Sequence, residues 1–253
     1  MKLLIFGLIA LYLGALIYIY LTQDSQVFNP RSIEKKEPIK LKDVEHITFE
    51  VEKGVVLKGI HKTSDNSPLV IYFGGNADDA TRIVLHVKGF EIVAFNYRGF
   101  VNSGGKPSEK DIFSDALQIF DKYGENRDVI VVGRSLGTGV ATYVASQRVI
   151  KGLILITPYD SIVSIGKKMY PYFPIETLSN HKFESVKYML DVKAKVGLIE
   201  VEGDDVIPKY HFDKLKEKVL NLALHVELKD TTHGDVLQHP DFEKTIKRMI
   251  DVM

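Results

Sequence analysis

From Val44 to the C-terminus, short apolar runs rich in β-branched residues alternate with segments of helical spacing. Residues 46–51 and 55–61 read as an antiparallel pair around Glu52-Lys53-Gly54, and 69–73 and 92–96 read as buried strands. Between them, 78–88 has helical spacing, and 111–123 places Ile112, Phe113, Ala116, Phe120 and Tyr123 on one helical face. Strand-like runs recur at 129–132, 153–156, 197–201 and 223–228, with helical patterns after Ser135, Pro208 and Pro240. Parallel strands need long crossovers, and helices supply them while covering both faces of the sheet. The expected class is therefore α/β, a mostly parallel central sheet flanked by helices. Residues 157–190 break the alternation with Pro158, Pro171 and Pro174 and a cluster of Tyr, Phe and Met. This stretch is expected to form a small cap, at about 158–190, whose apolar side chains either line a hydrophobic pocket or pack onto the sheet.

Within this pattern one junction carries chemistry. The run Asp128-Val129-Ile130-Val131-Val132 breaks into Gly133-Arg134-Ser135-Leu136-Gly137 and then into a helix-compatible segment. A strand, G-x-S-x-G and a helix in succession have the form of a nucleophile elbow, which holds a serine on a cramped turn where glycines relieve the crowding. Ser135 then sits at a helix N-terminus, where the dipole and the Leu136 amide favour negative charge on a reacting oxygen. Taken alone, the pentapeptide is equally a glycine-rich turn.

A serine nucleophile needs a base, and the base needs an orienting acid. In this architecture both follow the serine, in loops at the ends of later strands. The strand 197–201 leads into Glu202-Gly203-Asp204-Asp205-Val206-Ile207-Pro208, and 223–228 leads into Thr231-Thr232-His233-Gly234-Asp235. The order Ser135, Asp204, His233 meets the requirement, although Asp204 also suits a turn or helix cap and His233 an exposed loop. The turn Phe73-Gly74-Gly75-Asn76-Ala77 supplies a second oxyanion donor, the Asn76 amide beside that of Leu136.

Together these motifs resemble the α/β-hydrolase superfamily, in particular membrane-anchored serine hydrolases that include peptidase-like and acyl-protein-thioesterase-like members. The resemblance runs from about Val44 to the C-terminus. It is carried by Tyr72-Phe73-Gly74-Gly75-Asn76-Ala77, Asn96-Tyr97-Arg98-Gly99-Phe100, the elbow with its arginine, Asp204-Asp205-Val206-Ile207-Pro208 and His233-Gly234-Asp235. Val101 stands where the family often has glycine, and Gly74 where it often has histidine. The resemblance implies acyl transfer to water without a metal or organic cofactor, with Asp204 rather than Asp205 as the acid. Two alternatives are an aminopeptidase-like hydrolase, using Asp160 or Glu176 to hold a substrate amine, and a catalytically idle scaffold.

The other end of the chain differs in kind. Residues 3–21 are nineteen uncharged residues, as a helix roughly 28 Å long and close to the hydrocarbon thickness of a bilayer. An uncleaved signal anchor over residues 1–22 is expected, since the run is long for a cleaved signal peptide. Tyr18 and Tyr20 suit an interfacial belt, and membrane lipid is the expected partner of this segment. Residues 23–43, with Asn29-Pro30 and Glu37-Pro38, read as an exposed tether to a hydrolase domain at 44–253. Lys2 on one side and Arg31, Lys35 and Lys36 on the other give no orientation bias. Basic and acidic residues balance at 33 each, which argues against a nucleic-acid partner. The absence of cysteine removes disulfides and thiolate chemistry, and no H-E-x-x-H metal motif is present.

Overall fold

The apolar runs pair into one eight-stranded sheet in the order β1-β2-β4-β3-β5-β6-β7-β8. The strands are β1 (Val44–Glu52), β2 (Val55–Lys62), β3 (Leu69–Phe73), β4 (Glu91–Phe95), β5 (Val129–Arg134), β6 (Gly152–Ile156), β7 (Lys195–Gly203) and β8 (Leu222–Thr232). The structure, a computed structural model, describes residues 1–30, 37, 39–65 and 67–253. β1 and β2 form the expected hairpin, β2 also runs antiparallel to β4, and every later pairing is parallel.

Because side chains alternate across a strand, the fully apolar central strands feed two cores at once. Ile71, Val93, Val131, Leu155 and Leu198 face one side, packed by α2 (Glu109–Gly124), α3 (Leu136–Gln147) and α7 (Lys209–Lys216). Val70, Ile92, Ile130, Ile154 and Ile199 face the other, covered by α8 (Phe242–Asp251). Ser108 starts α2 by accepting the Asp111 amide at 3.1 Å, and the apolar stripe expected on this helix is the one it buries.

One segment after Val44 departs from its expected class. Only Ala80–Leu85 of 78–88 is helical, as a short 3-10 turn. Side chains seize its first amides, Asn96 Oδ1 taking Ala80 N at 2.8 Å and Asp79 taking Thr81 N at 3.2 Å, while Gly89 at φ +76° ends the segment. The cap consists of three short helices, α4 (Ile162–Met169), α5 (Ile175–Leu178) and α6 (Ser185–Met189).

The N-terminal helix α1 (Lys2–Val27) runs past the expected end of the anchor. It is long and apolar enough to cross a membrane. Residues 23–29, expected as exposed tether, are instead docked. Gln23 is 9% exposed; its amide donates to Tyr20 O and Leu178 O and accepts from the Asn180 amide at 2.7 Å. Phe28 is buried edge-on against His181 and Phe183. The physical reason is that a polar side chain on an apolar helix finds its partners in the cap rather than in water. Arg31, Lys35, Lys36 and Pro38 lie outside the described residues.

Candidate active site

Strand register brings the site together. Phe73 pairs with Gly133, so the Gly74-Gly75-Asn76 turn leaves β3 beside Ser135 as it leaves β5. Gly203 pairs with Thr232, so the next residue on each strand, Asp204 and His233, emerges side by side. The sheet extends β8 beyond the expected 223–228, and this extension carries His233 to the same edge as the serine.

Ser135 lies at φ +50°, ψ −122°, the strained conformation that a sharp strand-to-helix turn requires. Its amide donates to Ile156 O at 2.9 Å and its carbonyl accepts from Thr138 N at 2.8 Å, which holds the strain in place. The flanking glycines answer to space rather than to φ. A methyl group on Gly133 would sit on the Gly137 carbonyl and 2.7 Å from Ala141 Cβ, and one on Gly137 would overlap the Phe73 carbonyl.

Ser135 Oγ donates to His233 Nε2 at 2.8 Å, and His233 Nδ1 donates to Asp204 at 3.0 and 3.1 Å. Ser135 and His233 are both buried. Asp204 Oδ1 also accepts the amides of Val206 and Ile207, at 3.0 and 2.7 Å. The carboxylate thus caps its own turn and faces the imidazole at once. The Leu136 amide is the first of α3 and precedes any acceptor within the helix. Asn76 and Leu136 line the same cavity as Ser135.

A clamp that the sequence did not reveal ties these parts together. The buried Arg134 guanidinium donates to Asp78 Oδ1 and to the His233 carbonyl, the latter at 2.8 Å. Asp78 Oδ2 in turn accepts the Gly75 amide at 2.8 Å. One arginine therefore fixes both the Gly74-Gly75-Asn76 turn and the loop that carries His233. Burial works against its charge, but Asp78 together with Tyr72 and Asp204 outweighs this and holds the guanidinium more firmly protonated than usual. Tyr97 adds a second tie, donating to the Gly74 carbonyl at 2.8 Å. Asp78 fell inside a segment of helical spacing, and nothing in its local sequence marks it as a clamp.

The cavity beside Ser135 has a volume of about 230 Å³ and is walled mainly by apolar side chains. The cap contributes Ile162, Ile165, Met169, Ile175 and Leu178, the acid loop Val206 and Ile207, and α1 Ile19, Gln23 and Val27. The two carboxylates considered for binding a substrate amine are engaged elsewhere. Asp160 is buried and accepts from His211 Nδ1 at 2.7 Å and from the Ser161 amide, while exposed Glu176 pairs with Lys167. Among the described residues no group of three or more His, Cys, Asp or Glu is arranged to hold a metal ion.

Known proteins agree with this architecture. The model of the α/β hydrolase fold family matches residues 68–197. An uncharacterized protein of Mycobacterium tuberculosis is 28% identical over 202 residues, covering 75% of this chain and 72% of its own length. The lysophosphatidylserine lipase ABHD12 of Rattus norvegicus is 32% identical over 189 residues, or 63% of this chain, and the match spans 46% of the lipase. In structure, an esterase of Pyrococcus furiosus superposes with a TM-score of 0.63 at 20% identity, over 86% of this chain and 99% of the esterase. Sequence match, sheet order and elbow geometry lead to one assignment: the chain belongs to the α/β hydrolase fold family.

Proposed function

We propose that this protein is a membrane-anchored serine hydrolase that cleaves an acyl ester of a lipid. One observation carries the reading: Ser135 Oγ lies 2.8 Å from His233 Nε2, beside an apolar cavity of about 230 Å³. A carbonyl placed there has a nucleophile and base on one side, two backbone amides for its oxygen, and hydrocarbon walls for its acyl chain. The mammalian relative named as a lysophosphatidylserine lipase agrees with a lipid ester as substrate.

In the first half-reaction Ser135 Oγ bonds to the carbonyl carbon as its proton passes to His233 Nε2, and Asp204 stabilises the imidazolium. The negative carbonyl oxygen is held by the amides of Asn76 and Leu136, each contributing about 3 kcal/mol to the transition state. Collapse breaks the ester C–O bond, and the alcohol leaves with the proton from His233. Water, deprotonated by the same imidazole, then attacks the acyl-enzyme, and the proton returns to Ser135 as the fatty acid departs. In this reading α1 anchors the chain, its last turn docks on the cap, and the hydrolase domain follows from Val44. The aminopeptidase alternative loses its support, because Asp160 and Glu176 are both already paired.

Purified protein is expected to hydrolyse a long-chain monoacyl glycerophospholipid, and Ser135→Ala is expected to lower kcat by on the order of 10^5-fold or more. A folded Ser135→Ala variant with wild-type turnover would refute the assignment.

A further inference from the structure

The contacts of α1 with the cap extend far along the helix, and they set a depth. Tyr12 stacks on Phe173 with ring centroids 5.2 Å apart, and its hydroxyl donates to the Tyr172 carbonyl at 3.1 Å. Tyr12 lies nine residues before Leu21, the end of the apolar run, which is about 14 Å along a helix axis. A bilayer core about 30 Å thick needs about 20 apolar residues to cross it. The run has nineteen, so α1 spans only if the whole run is in the hydrocarbon, Tyr12 near its middle. A cap segment touching Tyr12 cannot then remain in water. The even distribution of apolar residues around α1 suits a spanning helix rather than one lying flat in the interface.

The cap segment has the properties such a depth demands. Met169-Tyr170-Pro171-Tyr172-Phe173-Pro174-Ile175 carries no charge, and Lys167, Lys168 and Glu176 flank it. Met169 and Tyr172 are 63% and 85% exposed, so the tip presents apolar side chains outward. Irregular backbone is tolerated in hydrocarbon only where its polar groups are satisfied internally. Here the amides of Tyr170, Phe173 and Ile175 donate to Gly166, Tyr170 and Phe173 carbonyls, Pro171 and Pro174 have no amide, and the Tyr172 carbonyl is taken by Tyr12, so that among the amides of 170–175 that of Tyr172 alone is left unpaired. The cavity is lined by residues of this tip and of α1, Met169 and Ile19 among them, and by Ser135.

We infer that residues 169–175 are immersed in the leaflet beside α1, so that the acyl chain of a membrane lipid passes from the bilayer between α1 and the cap to Ser135 without crossing water. This rests on the anchoring proposed above, and it makes α1 a wall of the substrate site rather than a leash. A cavity bounded by the membrane helix selects lipids resident in the bilayer over soluble esters.

The chain contains no tryptophan, so single substitutions report depth. Leu8→Trp, Tyr172→Trp and Val149→Trp are each placed in the full chain, reconstituted into phosphatidylcholine vesicles with brominated acyl chains. Position 172 is exposed, and Val149, 95% exposed beyond α3, is the aqueous control. Blue-shifted, bromine-quenched emission is expected from the first two variants, and none from the third. Quenching of Leu8→Trp with unquenched, water-like emission from Tyr172→Trp would overturn the inference while leaving the anchor standing. Unquenched emission from both would refute the anchor and the inference with it, and catalysis by Ser135 would be unaffected by either result.

Discussion

Arg134 and Asp78 perform no bond-making step in the proposed reaction, yet they hold the two loops that do. The guanidinium reaches Asp78 and the His233 carbonyl together, a forked geometry that a lysine ammonium cannot reproduce. Arg134→Lys is therefore expected to lower kcat by about 10-fold or more with KM nearly unchanged, the signature of lost transition-state geometry. Steady-state kinetics on one ester separate the two constants. Asp204→Asn is expected to lower kcat by on the order of 10^3 to 10^4, because the imidazole loses its fixed tautomer. Residue type, chain order and loop position together singled out Ser135, Asp204 and His233 in the sequence, and the structure brings their side chains within hydrogen-bond distance of one another. Asp78 was not singled out, since its use depends on a partner 56 positions away. The same limit hid the Asp160–His211 pair, which removes Asp160 from the substrate site.

At the scale of elements, apolar β-branched runs identified the central strands, because a strand buried on both faces tolerates little else, while the half-exposed outer strands β1 and β8 carry mixed apolar and polar residues. The 3-10 turn at Ala80–Leu85 and the docking of α1 escaped, since side chains distant in sequence determine both. Removing one such side chain should show its share. Gln23→Ala is expected to expose the Asn180 amide, raising its hydrogen-exchange rate with about 1–2 kcal/mol of local stability lost. β4 carries a pH-dependent tie. Burial would raise the Glu91 carboxyl, but hydrogen bonds from Arg127 and His61 prevail and hold it below the usual glutamate value. With a folded value below the unfolded value of about 4.3, its stabilisation is complete above that pH and lost as pH falls through the folded value. Glu91→Gln should thus reduce the melting temperature at pH 7 and flatten its decline on acidification, as a thermal series from pH 7 to pH 3 would show.

For the molecule as a whole, the sheet creates the site by register and the apolar helix α1 adds to its walls. Parallel pairing brings the ends of β3, β5, β7 and β8 to one edge, where the Gly74-Gly75-Asn76 turn, Ser135, Asp204 and His233 meet. The fold class and the order of these parts followed from the sequence. That the expected tether is part of the pocket did not, because an apolar helix followed by polar residues has the same pattern whether or not a cap packs against it. The central claim is that Ser135 is the nucleophile of this assembly. It is tested most directly by treating the reconstituted protein with a fluorophosphonate and locating the adduct by peptide mass spectrometry. The account predicts one phosphonylated residue, Ser135, with labelling abolished in Ser135→Ala and sharply slowed in His233→Ala. An adduct on another residue, or a folded wild-type protein that resists labelling, would contradict it.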